Sequence, residues 1–77
     1  MKNLKKNKDS IEVSLNKDFY SKKAMLIASE AFSETCFTSL DLNDKDFIVT
    51  LKPKEEFDLE TLGLEFCNFV LGIMQNE

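Results

Sequence analysis

The stretch LETLGLEFCNFVLGIM, residues 59–74, carries much of the apolar content of this 77-residue chain. Asp58, directly before it, is a good N-cap residue, and Glu60 suits the positive end of a helix dipole. Phe57 and Leu62 stand at the spacing of a hydrophobic staple. Together these signals predict that the whole stretch is a helix.

The predicted helix is apolar around more of its circumference than a surface helix requires. A helix that packs on one side of a domain buries a stripe somewhat over about 100° wide. Here only a narrow strip is polar, formed by Thr61, Glu65, Asn68 and Gly72. The broad apolar face comprises Leu59, Leu62, Phe66, Phe69, Val70 and Ile73, and it is extended by Leu64, Cys67, Leu71 and Met74.

Two arrangements would cover this surplus of apolar surface. Exposed apolar patches beyond a few hundred Å² mark interaction sites, so Leu64, Leu71 and Met74 are predicted to bind a second copy or another protein. Alternatively, the other helix of the same monomer covers them. In the first arrangement we expect Phe66, Phe69, Val70 and Ile73 to divide between the domain core and the intermolecular contact, with Phe66 and Ile73 on the core side.

The first half of the chain predicts a strand followed by a helix. Residues 10–15, SIEVSL, alternate between polar and apolar side chains, as a half-buried strand does. Residues 19–34 switch to the helical period, and Ser21 or Asp18 can cap the first turn. Small alanines on the apolar face of this helix would let it lie close to a sheet.

Two further strands are predicted at residues 36–42, CFTSLDL, and 45–52, KDFIVTLK. Asn43 and Asp44 between them indicate a tight hairpin turn. Pro53 ends the pairing because it has no N–H to donate to a ladder.

This order predicts a small two-layer α+β sandwich, β-α-β-β-α, with two helices on one face of a three-stranded antiparallel or mixed sheet. Residues 10–77 are expected to form a single domain. Residues 1–9 are polar and without periodicity, which predicts a disordered basic arm.

The composition argues against several classes of function. With no His, a Ser or Cys nucleophile lacks its usual base, and Cys36 and Cys67 lack metal-ligand spacing, so we predict no enzyme, metal or cofactor. The segment 41–46 resembles a calcium loop, but Asp46 replaces its glycine and Lys52 its bidentate glutamate. The two cysteines are expected to be reduced and buried.

The charge distribution and the hydropathy argue against nucleic acid and membrane as partners. The first eight residues carry four lysines, whereas the chain from residue 9 onward has six lysines and fourteen acids, a charge of −8. The chain has no Arg, which nucleic-acid readers commonly use. No apolar run approaches the roughly 20 residues of a membrane span, and no secretory signal is visible, so the expected location is the cytoplasm.

Three segments of the chain resemble the HxsD-like proteins of the His-Xaa-Ser peptide systems. They are FYSKKAMLIASEAF (19–32), FIVTLKPK (47–54) and DLETLGLEFCNFVL (58–71), and the similarity spans roughly residues 10–74. The landmarks are Tyr20-Ser21, Leu51-Lys52-Pro53-Lys54, and Phe66 with Asn68. Members of that family commonly carry a C-terminal extension that is missing after Glu77.

The resemblance implies an accessory role beside a radical S-adenosylmethionine maturase and a short peptide substrate, without an activity of its own. An extended peptide would then be held on the outer face of the sheet, by Ile48, Thr50 and Ser14, or along an open strand edge. The alternative is a structural homodimer or regulatory subunit without a peptide ligand. A small enzyme using Cys36 or Cys67 is a third reading.

Overall fold

The computed structural model describes residues 2–77 and contains four strands and two helices. The elements follow the order β-β-α-β-β-α along the chain. Their bounds are β1 Lys2–Lys6, β2 Ile11–Asn16, α1 Lys22–Phe32, β3 Cys36–Leu42, β4 Asp46–Pro53 and α2 Leu59–Gln75.

The sheet is four-stranded and antiparallel throughout, with the strand order β1-β2-β4-β3. The α+β class and the two helices agree with the sequence analysis, but the prediction of a three-stranded sheet is wrong. The extra strand, β1, lies within residues 1–9, which were predicted to be a disordered arm; Met1 itself lies outside the described residues.

The strand β1 forms because β2 offers it both a pairing edge and an apolar site. A short turn, in which the Asn7 N–H donates to the Ser10 carbonyl over 2.8 Å, folds β1 back on β2. Leu4 pairs with Val13 and packs against the core. One apolar residue among lysines is too little to produce a period-2 pattern, which is why the sequence analysis missed this strand.

Each strand of the sheet directs one set of side chains toward the helices and the other set toward solvent. Cross-strand partners share a face, so the register Val13↔Val49↔Leu40, in which Val13 and Val49 are buried, defines the helix side. The opposite register Ser14↔Ile48↔Asp41 defines the outer face. The core contains Ile11, Val13, Leu15, Ala24, Met25, Ala28, Cys36, Phe47, Val49, Leu51, Leu62, Phe66, Cys67 and Val70.

Both helices begin at the capping residues that the sequence offered. The Ser21 hydroxyl accepts from the Ala24 N–H over 2.9 Å, which selects Ser21 rather than Asp18 as the cap of α1. Asp58 caps α2 by accepting from the Thr61 N–H over 2.9 Å. Each bond satisfies a backbone donor that has no partner within the helix.

The glycine at position 63 lets α2 lie close to the sheet. A Cβ at this position would lie 2.8 Å from Ile11 Cδ1 and 3.3 Å from a methyl group of Leu4. Real Cβ atoms essentially never lie within 3.0 Å of another atom, so a side chain at position 63 would require Ile11 to shift. The second glycine of the helix, Gly72, has nothing within 4 Å of such a Cβ.

Candidate functional site

Among the described residues, ten large apolar side chains remain at least about one third exposed. An isolated exposed apolar residue is ordinary on a protein surface. Exposed apolar residues that lie together at an unpaired strand edge are more informative. The ten are Phe19, Leu26, Ile27, Phe37, Leu40, Leu42, Phe57, Leu64, Phe69 and Leu71.

Two of the three α2 residues predicted to contact a partner lie on an exposed flank of the helix. Leu64 and Leu71 are 44% and 38% exposed, while Met74 is half-buried and packs against the core. Glu60 occupies the same side of the helix and pairs with Lys6 of β1, at 3.8 Å. This flank therefore faces the β1 edge of the molecule, away from α1, and α1 does not cover it.

The other two predicted contact residues, Ile48 and Thr50, lie on the outer face of the sheet. Both are half-buried, and they pair with Ser14 and Glu12 of β2. The helices cover the opposite face, so the structure does not bring Ile48 and Thr50 together with Leu64 and Leu71. The residues predicted to contact a partner therefore lie on two separate surfaces rather than at one site.

Hydrogen bonds at both ends of the β3–β4 hairpin establish which backbone groups of β3 are already paired. The Lys54 N–H donates to the Thr35 carbonyl over 2.9 Å, and the Asn43 N–H donates to the Asp46 carbonyl over 3.1 Å. Hydrogen-bonded and non-hydrogen-bonded pairs alternate along an antiparallel ladder. The odd-numbered residues of β3 therefore direct their N–H and C=O groups toward β4.

The even-numbered residues of β3, principally Thr38, Leu40 and Leu42, direct their N–H and C=O groups away from β4. Because β3 is the last strand in the sheet order, these groups lie on an open edge. Their side chains lie on the helix side, where Leu40 and Leu42 remain 36% and 54% exposed. We call these three residues, with their outward backbone groups, the β3 edge.

The edge at β1 is protected in a way that the β3 edge is not. The same alternation makes Lys2, Leu4 and Lys6 the residues whose backbone groups face away from β2. Lysines on an edge strand oppose pairing with another chain. The strand from Cys36 to Leu42 contains no Lys and no Pro. This absence can be read from the sequence, but it indicates an unprotected edge only once β3 is known to be the last strand of the sheet.

The two cysteines and the acidic side chains of the described residues are the candidate groups for a thiol or metal site. Cys36 and Cys67 are both buried and are not joined in a disulfide. Burial raises the pKa of Tyr20 above the usual 10.0, and the electrostatic interaction with Cys67 raises this pKa further. Within residues 2–77, no group of three or more acidic or cysteine side chains is arranged to hold a metal ion.

No helix in the described part of the chain is long and apolar enough to cross a membrane. Comparison of the chain with protein-family models, curated proteins and solved structures finds no match.

Proposed function

We propose that this protein is a non-catalytic accessory or adaptor protein that binds an extended peptide segment by adding it to the β3 edge. The observation that carries the proposal is the row of outward backbone groups at Thr38, Leu40 and Leu42. An added strand would pair with these groups, and main-chain hydrogen bonds of this kind provide the affinity in β-augmentation.

The exposed side chains on the β3 edge would give the bound segment its specificity. Successive side chains of a strand point to opposite faces of the sheet. Alternate residues of the peptide would therefore lie on the helix side, beside Leu40 and Leu42. The favoured segment has apolar residues at alternate positions, because these would cover leucine surface that the fold leaves open.

The resemblance to the HxsD-like proteins supports a peptide-modification system as the setting. In that setting the protein holds a ribosomally made peptide for a radical S-adenosylmethionine maturase, and both act in the cytoplasm. The maturase supplies the chemistry and its cofactors. This chain then needs no cofactor, and no residue of it is assigned a catalytic role.

A second candidate function, a structural homodimer, is favoured by the exposed flank of α2. Leu64 and Leu71 lie two turns apart on this flank, and a twofold axis beside them would bury both pairs. Replacing Leu71 with Glu would leave the core intact, since the side chain is 38% exposed. Sedimentation would then show a dimer for the wild type and a monomer for Leu71→Glu.

The proposed peptide site is tested by blocking the β3 edge without breaking the sheet. Leu40→Pro removes one outward N–H donor and leaves the bonds to β4, and proline is tolerated on an edge strand where its nitrogen faces solvent. Leu40→Val is the matched control, because it shortens the same side chain and keeps the donor.

We expect affinity purification from the native host to recover a radical S-adenosylmethionine enzyme or its short peptide with the wild type and Leu40→Val. Leu40→Pro should lose that partner while retaining the wild-type circular dichroism spectrum. Recovery of neither an enzyme of this class nor a peptide with the wild type would count against the proposal. Equal recovery with Leu40→Pro would remove β3 as the binding edge.

A further inference from the structure

A groove of about 620 Å³ opens where the end of α1, the start of β3 and the first turns of α2 meet. Ligand pockets in proteins have volumes of about 300–1,000 Å³, so this groove can accept a large side chain and its neighbours. The segment 53–57, which links β4 to α2, forms one wall. The apolar lining is provided by Ala31, Phe32, Pro53, Phe57, Leu62 and Phe69.

Aromatic rings form the apolar floor of the groove and stay accessible from outside. The Phe32 ring meets the Phe69 ring edge to face, with 5.6 Å between the ring centres. Phe57 and Phe69 are 48% and 43% exposed. These rings are apolar and remain about half exposed to solvent, and the Phe69 ring is held in place by its contact with Phe32. Such a surface can pack against an apolar group of a ligand.

Four glutamates surround this apolar floor: Glu34, Glu55, Glu56 and Glu65. The ion pairs between described side chains are Lys6–Glu60 and Lys52–Asp9, and neither involves any of the four. The groove therefore combines an apolar interior with a rim of carboxylates that no cation of the described chain neutralises.

The one lysine that lines the groove, Lys54, is turned toward other groups. Its Nζ donates to the Ser33 carbonyl over 3.2 Å and lies 5.4 Å from the centre of the Phe37 ring. These contacts direct the ammonium group to the end of α1 and to β3, and it forms no ion pair with any of the four carboxylates.

We propose that this groove is a second binding site, which takes a cationic peptide segment with an apolar or aromatic residue between lysines or arginines. The apolar residue fills the space between Phe57 and Phe69, and the flanking cations face the glutamate rim. The site is independent of the β3 edge, because its ligand is recognised by side-chain charge rather than by backbone pairing.

The test uses the full isotope-labelled chain and two blocked peptides, Lys-Lys-Phe-Leu-Lys-Lys and Glu-Glu-Phe-Leu-Glu-Glu, followed by amide chemical shifts. We expect the basic peptide to bind at least about tenfold more tightly, which corresponds to about 1.4 kcal/mol. Raising the salt from about 50 mM to about 500 mM should weaken its binding severalfold, because exposed charges are screened. The largest shifts should occur at Ala31, Phe57 and Glu65.

Two double variants distinguish specific binding in the groove from a general attraction of the basic peptide to an acidic protein. Glu55→Gln with Glu56→Gln removes two rim charges and should weaken the basic peptide severalfold. Glu30→Gln with Asp44→Asn removes the same charge from exposed positions outside the groove and should leave binding unchanged. Equal weakening by both pairs, or no preference for the basic peptide, would overturn the proposal.

The position of the shifts distinguishes the remaining outcomes. Shifts confined to Thr38, Leu40 and Leu42 would overturn the groove proposal while leaving the β3 edge standing. Groove shifts that appear on concentrating the protein alone would assign the groove to a second copy of this chain and would also overturn it. Failure of the groove site does not bear on peptide pairing at β3.

Discussion

Replacing Phe66 with Ala should remove a large part of the stability of the domain, whereas the same change at Phe69 should remove much less. Phe66 is 0% exposed, and Phe69 is 43% exposed. Both rings meet Phe32 edge to face, with centre separations of 5.2 Å and 5.6 Å. The two variants thus share a helix, a ring partner and a chemical change, and they differ in burial.

The expected magnitudes follow from that burial. Truncating a fully buried Phe costs about 3–5 kcal/mol, while a ring that keeps nearly half its surface in water should cost about 1–2 kcal/mol. Natural domains are stable by about 0.05–0.15 kcal/mol per residue, or roughly 4–12 kcal/mol for 77 residues. The loss at Phe66 is therefore as large as the lower end of this range of unfolding free energies.

Urea unfolding followed by circular dichroism measures both losses. With a slope of about 1 kcal/mol per molar urea, Phe66→Ala should lower the midpoint by about 3–5 M or leave the chain unfolded in buffer. Phe69→Ala should lower it by about 1–2 M. Equal losses for the two variants would refute the assignment of Phe66 to the core and of Phe69 to the open groove.

Three further predictions concern helix packing, a helix cap and the thiols. Gly72→Ala should raise the free energy of unfolding by about 0.5–1 kcal/mol because alanine favours helix interiors. Gly63→Ala should lower the free energy of unfolding because its Cβ would press on buried Ile11. The urea midpoints of the two variants measure both changes. The hydroxyl of Thr61 and then its backbone N–H donate hydrogen bonds to Asp58 and lower the pKa of this carboxyl below 3.8. These bonds stabilise the folded state at neutral pH, and that stability is lost as the pH falls through the lowered pKa. The urea midpoint of Asp58→Asn should therefore fall less in acid than the urea midpoint of the wild type. Both cysteines should react with a thiol reagent only as fast as the chain unfolds, since they are 2% and 0% exposed; fast labelling of the native protein at neutral pH would revive the enzyme reading.

Much of the fold could be predicted from residues whose local signals agree with their final environment. Asp58 lies before a long apolar run, and the structure uses it as the cap of α2. Phe47, Val49 and Leu51 stand at alternate positions of the predicted strand 45–52, and β4 buries all three. The segment Lys2–Lys6 could not be recognised, because its strand structure depends on pairing with β2 and on one leucine rather than on a periodic pattern.

Less of the candidate site than of the fold could be predicted from the sequence. The width of the apolar face on α2 predicted exposure at Leu64 and Leu71, and the structure leaves both exposed. The same reasoning placed Met74 with them, but it packs against the core. The β3 edge depends on strand order and ladder register, which arise from long-range pairing and cannot be read from residues 36–42 alone.

Amide hydrogen exchange along β3, with and without the peptide recovered from the host, tests the central claim most directly. If the peptide adds a strand, the outward amides of Thr38, Leu40 and Leu42 should exchange much more slowly in the complex. The amides of Phe37, Ser39 and Asp41 face β4 and should change little, which gives an alternating pattern. A saturating peptide that leaves the three outward amides as fast as in the free protein would contradict strand addition at β3.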